Sequence, residues 1–99
     1  MSLRRRISLS EEAEGDLDDI LQYTLETWGP RQVGLYGKRL EKGLEAIAGQ
    51  PRIGKGRNDL YPGCRCHQIE EHIVYYSADE DAVSVARILH KRMNVRLYL

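Results

Sequence analysis

The chain has 99 residues, with 15 Lys and Arg set against 15 Asp and Glu, and therefore no formal net charge. This length allows one domain with a single modest core, and the charge balance argues against a dedicated non-specific nucleic-acid binder. Hydrophobic residues at 41% and charged residues at 30% are those of an ordinary soluble globule, and no apolar run approaches the ~20 residues of a membrane span.

Met1 to Arg6 starts basic, but no apolar core follows it, so a signal peptide is not expected. Arg4–Leu9 alternates weakly and reads as a short first strand. Ser10 is a good helix N-cap, and Glu11 and Glu12 place negative charge in the first turn. Ala13, Leu17, Ile20, Leu21, Thr24, Leu25 and Trp28 then recur at three- and four-residue steps, which predicts an amphipathic helix to about Thr27. Gly29-Pro30 breaks it, and Pro30 suits the first turn of a second helix. Val33, Tyr36, Leu40, Leu44 and Ile47 carry that helix to Ala48, and Gly49 and Pro51 end it. Its glycines at 34, 37 and 43 are tolerable if they let the first helix pack closely. The product is an antiparallel helical hairpin with a very short link.

Gln50 to Gly63 is a basic, Gly- and Pro-rich loop, longer than most connections, and long loops are often functional. Three strands follow at Cys64–Ile69, His72–Tyr76 and Val83–Leu89. Their links are short enough for antiparallel hairpins. His72-Ile73-Val74-Tyr75-Tyr76 has strand formers on both faces, as an inner strand should. His90 to Leu99 is a basic tail without an assigned structure, and cutting it after Met93 is expected to leave the domain folded. The reading is one α+β domain over residues 1–99. It comprises an N-terminal strand, an antiparallel helical hairpin and a three-stranded antiparallel meander packed against that hairpin.

Phe is absent, so aromatic packing falls to six Tyr and one Trp. Trp28 is read as capping the core beneath the helix link, with a partner anchor as the alternative. Tyr23 and Tyr36 are expected to meet across the hairpin, and His67 and His72 to be surface strand residues. Glu11, Glu12, Glu14, Asp16, Asp18 and Asp19 form an acidic stretch, read as a solvated face with a helix-dipole effect. Cys64 and Cys66 share a strand face about 7 Å apart, too far for a relaxed disulfide. They read as reduced thiols of a cytoplasmic protein. His67 points to the other face, so no metal site and no cofactor is expected.

The order and spacing of these residues resemble the RelE/ParE toxin superfamily, and within it the ParE branch. The first helix carries Ala13-x-x-Asp16-Leu17-x-Asp19-Ile20-x-x-Tyr23, and the link carries Trp28-Gly29-x-x-Gln32-x-x-x-Tyr36-x-x-x-Leu40. The loop reads Pro51-Arg52-Ile53-Gly54, then Leu60 and Gly63-x-Arg65. The last strands read His72-Ile73-Val74-Tyr75-Tyr76 and Val83-x-Val85-Ala86-Arg87-Ile88-Leu89-His90-x-x-Met93.

The resemblance implies the toxin of a type II toxin–antitoxin module in a bacterial cytoplasm. A ParD-like antitoxin would wrap it in a hetero-oligomer and supply the DNA-binding half, leaving this chain with no direct DNA binding of its own. The free toxin would poison DNA gyrase. RelE-branch relatives are instead ribosome-dependent mRNA endonucleases. RNA cleavage needs a base, an acid and cations around the phosphorane, and the candidates here are Arg65, Arg87, His90 and Tyr98. Each has another reading. Arg65 pairs with Glu70, Glu71 or the antitoxin, and Arg87, alternating with Val83 and Val85, reaches an acidic partner. His90 ends its strand as a hydrogen-bonding residue. The basic loop lacks the dense lysine cluster of RelE-type nucleases, which favours a binder over an enzyme. Antitoxin contacts are accordingly assigned to Arg65, Arg87, Tyr23 and Tyr36, and target contacts to Lys91, Arg92 and Arg96 in the tail.

Overall fold

The computed structural model describes residues 4–99. Its first helix, α1 (Glu11–Trp28), starts where Ser10 accepts the Ala13 N–H on its hydroxyl. Glu11, Glu12 and Glu14 occupy the positive end of its dipole. Gly29 is the whole link to α2 (Pro30–Gly49): it adopts φ +90°, a conformation open to glycine, and donates its N–H to the Leu25 carbonyl. The expected helical hairpin is therefore present, one residue longer at each C-terminal end than the apolar pattern indicated.

Only one of the α2 glycines named above sits in a close approach. A Cβ at Gly43 would overlap Ile69, a strand residue, whereas Gly34 faces open space and Gly37 has ordinary clearance from Leu21. The close approach that a glycine of α2 permits is thus to the sheet.

Five strands form one sheet: β1 (Arg6–Leu9), β2 (Lys55–Gly56), β3 (Arg65–Ile69), β4 (His72–Ala78) and β5 (Ala82–His90), in the order β1-β5-β4-β3-β2. The predicted meander is its β3–β4–β5 centre. Two features were not anticipated. β1 joins parallel to β5, with Ile7 opposite Val83 and Leu9 opposite Val85. The long basic loop contains a 3-10 turn, Pro51–Ile53, and the two-residue edge strand β2.

Both faces of the sheet are covered. Between the helices and the sheet, Ala13, Ile20, Leu40 and Ile47 pack with Val74, Tyr76, Val83, Val85 and Ile88. On the other face Cys64, Tyr75 and Leu89 are closed over by Val95 from the tail, where Val95–Leu97 forms a 3-10 turn. Double coverage explains why β4 reads apolar on both faces. It also gives the tail a place in the fold, because Val95 is part of the core on that side.

Candidate functional site

The chemistry-bearing residues gather where α1 crosses the end of β5. β1 covers β5 only as far as Val85, so the next backbone groups on that edge need other partners. Ser10 Oγ donates to the Ala86 carbonyl, and the Asp16 carboxylate accepts the Ile88 N–H at 3.0 Å. The same carboxylate accepts Arg87 Nη2 at 2.7 Å and Nε at 2.8 Å. Hydrogen bonding to Asp16 holds the Arg87 guanidinium firmly charged. The Tyr98 ring lies beside it, 5.2 Å from the guanidinium carbon to the ring centroid.

A bulge produces this arrangement. Tyr75 pairs with Arg87 and Tyr76 with Val85, so Ala86 is an extra residue on β5. The strict alternation of Val83, Val85 and Arg87 would have placed all three side chains on one face. After the bulge, Ile88 takes the helix-facing core position opposite Val74, and Arg87 follows Tyr75 to the other face. Arg65 pairs with Tyr76 and so faces oppositely to Arg87. The two arginines therefore do not share a sheet face.

Arg87, His90 and Tyr98 do come together, around a cavity of about 210 Å³ that Asp16, Asp19, His72 and Met93 also line. His72 and His90 are cross-strand partners, their rings edge to face with centroids 5.3 Å apart. The Tyr36 hydroxyl accepts the Glu71 N–H at 3.2 Å and shares a hydrogen bond with His72 Nδ1. Burial, and next the nearby His90, push the His72 pKa below 6.5 against an opposing pull from Glu71. His72 is thus neutral and half-buried, and its reading as a surface residue is corrected. His90 Nδ1 accepts the Arg92 N–H, in keeping with a hydrogen-bonding role at the strand end.

The two histidines also form one wall of a larger cleft of about 490 Å³, lined by Tyr23, Thr24, Trp28, Gln32 and Tyr36. Trp28 is 68% exposed, which overturns its assignment to the core. With Gly29 as the entire link, the indole has no protein layer beneath which to tuck. Tyr23, also exposed, shares the cleft with Tyr36, but the Tyr36 hydroxyl is directed to the sheet at His72 and Glu71.

Arg65 lies apart from this cluster. Its Nη1 donates to the Gly54 carbonyl at 2.8 Å, and among the described residues it makes no ion pair with Glu70 or Glu71, which corrects the pairing within the chain. Two of the three tail cations are already matched within the chain: Lys91 with Glu71 at 3.0 Å and Arg96 with Asp59 at 2.8 Å. Arg92 is exposed, and its side chain makes no ion pair among the described residues.

The residue that sequence reasoning missed is Asp16, placed among solvated acids. A signal existed: Ala13, Asp16 and Ile20 fall at i, i+3 and i+7, so Asp16 rides on the buried stripe of α1. Among the described residues no group of three or more His, Cys, Asp or Glu is arranged to hold a metal.

Residues 7–95 match the family described as the ParE toxin of the type II toxin–antitoxin system parDE. The chain is 36% identical over 91 residues to Toxin ParE1 of Caulobacter vibrioides, covering 92% of this chain and 94% of that one. It is 39% identical over 89 residues to Toxin ParE of Escherichia coli, covering 88% and 85%. Among solved structures, a chain of the chromosomal ParDE system from P. aeruginosa superposes with a TM-score of 0.73 at 19% identity, covering 90% of this chain and 98% of that one. A chain of the toxin–antitoxin complex RelBE2 from Mycobacterium tuberculosis gives 0.65 at 17%, covering 94% and 98%. At those identities the structural matches establish the fold.

Proposed function

Because the chain belongs to the ParE family of type II toxin–antitoxin toxins, we propose that a ParD-like antitoxin neutralises it and that, when free, it inhibits DNA gyrase by contact and not by catalysis. The observation that carries the second half is the Asp16–Arg87 ion pair. Stabilising a phosphorane requires a cation with charge to spare. The strand arginine beside His90 and Tyr98 has its charge met by a bidentate carboxylate. Arg65 faces the other side of the sheet, so the four nuclease candidates do not converge.

The antitoxin reading is supported by the aromatic cleft. Tyr23 and Trp28 are 65% and 68% exposed on one hairpin end, and a partner helix or extended segment would cover them. Tyr23 and Tyr36 in the cleft, and Arg65 and Arg87 outside it, are its proposed contacts, with Arg87 held by Asp16 beside Tyr98. The proposed gyrase surface is the tail, centred on Arg92 with Leu97 and Leu99. Lys91 and Arg96 contribute once released from Glu71 and Asp59. On this reading the protein works in the cytoplasm and needs no cofactor. No helix among the described residues is long and apolar enough to cross a membrane.

The test is induced expression of the chain alone and with the neighbouring antitoxin gene. Growth arrest relieved by the partner supports the proposal, and normal growth with verified folded protein opposes it. One observation favours a second reading, a RelE-like mRNA endonuclease: Arg87, His90 and Tyr98 do share a cavity. That reading requires ribosome-dependent mRNA cuts that disappear in His90→Gln.

A further inference from the structure

Several of the cations on this surface are neutralised internally. Arg4, Arg39, Arg57, Arg87, Lys91 and Arg96 each pair with a carboxylate. One cleft brings together three arginines without such a partner. It has a volume of about 610 Å³, lies where α2 ends against the β4–β5 turn, and is lined by Arg5, Arg52 and Arg65 with Asp79 and Glu80. None of these three arginines has a carboxylate within ion-pair distance among the described residues.

Two of them are instead fixed by backbone carbonyls. Arg5 Nε donates to the Asp79 carbonyl at 2.7 Å, and Arg65 Nη1 donates to the Gly54 carbonyl at 2.8 Å. A carbonyl orients a guanidinium without cancelling its charge, and each fork keeps further N–H donors. Arg52 stands on the 3-10 turn, exposed and without a side-chain partner. The negative groups nearby are partly engaged by backbone, although the Asp79 carboxylate keeps its charge. The Asp79 carboxylate accepts the N–H groups of Asp81 and Ala82, each at 2.8 Å. At the end of α2, the Ala46 and Ala48 carbonyls are taken by the N–H groups of Gln50 and Arg5. Glu80 remains, at the tip of the turn.

We propose that this cleft is a binding site for a phosphate group. Elsewhere in the chain a carboxylate satisfies one guanidinium, as Asp16 does Arg87, or two, as Asp59 does Arg57 and Arg96. Three forks from separate elements, none in a direct ion pair and only partly offset by Asp79 and Glu80, match an anion with at least three acceptor oxygens and more than one charge. The phosphate belongs either to a nucleic-acid backbone or to a small phosphorylated molecule. The site is independent of the gyrase reading, because binding is measured on the purified chain alone.

The experiment follows arginine side-chain N–H signals by NMR at low salt while adding pyrophosphate, ATP, a short DNA duplex or an oligoglutamate peptide. The proposal expects the Arg5, Arg52 and Arg65 signals to move together with pyrophosphate, and those of Arg31 and Arg92 to stay. Arg52→Ala, which removes no internal contact, weakens binding about tenfold, and Glu80→Gln strengthens it. Tighter binding of the duplex than of ATP at equal phosphate concentration assigns the site to nucleic acid, and the reverse order assigns it to a small phosphorylated molecule. Uniform shifts over all exposed arginines, unchanged affinity in Arg52→Ala, or tighter binding of oligoglutamate than of pyrophosphate would overturn the proposal.

Discussion

Asp16 on α1 and Arg87 on β5 form a two-pronged ion pair, Nη2 to Oδ1 at 2.7 Å and Nε to Oδ2 at 2.8 Å. Their side chains are 12% and 19% exposed. One carboxylate thereby closes the open edge of β5, fixes the bulged strand to the helix and neutralises the arginine beside the His72–His90 pair. Asp16→Asn should cost about 2–4 kcal/mol, somewhat below a fully buried pair because water reaches part of it. Urea unfolding of Asp16→Asn, Arg87→Gln and the double variant checks this. The account expects a coupling of about 1–3 kcal/mol, and additive losses would contradict it.

The tail is expected to be part of the fold. Val95 is 9% exposed and covers Cys64, Tyr75 and Leu89. Val95→Ala should destabilise by about 1–2 kcal/mol. Cutting the chain after Met93 should cost more and should make Cys64, now 1% exposed, react with a thiol reagent. A truncated chain of wild-type stability with an unreactive Cys64 would show that the tail does not seal that face.

Acid should weaken the fold through His72. Burial holds its folded pKa below 6.5, so its neutral form is favoured in the native state. The associated stability is full above about pH 6.5 and is lost as pH falls from there through the lowered folded value. Protonation also places a cation beside His90. Urea unfolding from about pH 7.5 down to about pH 5 should show this slope in wild type and a shallower one in His72→Gln. Equal slopes would place the effect elsewhere.

The helical hairpin and the β3–β4–β5 meander were legible in the sequence because each rests on a local apolar period and on short links. β2 was not, since two residues of a Gly-rich loop carry no period. The parallel pairing of β1 with β5 was hidden as well, because its partner lies more than seventy positions away and no turn joins them. The site was half legible. Arg87, His90 and Tyr98 were named and do meet, but the bulge at Ala86 leaves no mark in an alternating sequence, and it decides which face Arg87 takes. Trp28 was misplaced because helical spacing tells which stripe a residue occupies, and not whether a protein layer reaches that far along the helix.

The most direct test of the central claim is a gyrase supercoiling and DNA-cleavage assay with the purified folded chain, run beside His90→Gln and the Arg92→Ala variant. The account predicts inhibited supercoiling with wild type, no loss in His90→Gln, and a graded, salt-sensitive loss in Arg92→Ala. Unaffected gyrase, together with ribosome-dependent mRNA cleavage that vanishes in His90→Gln, would contradict it.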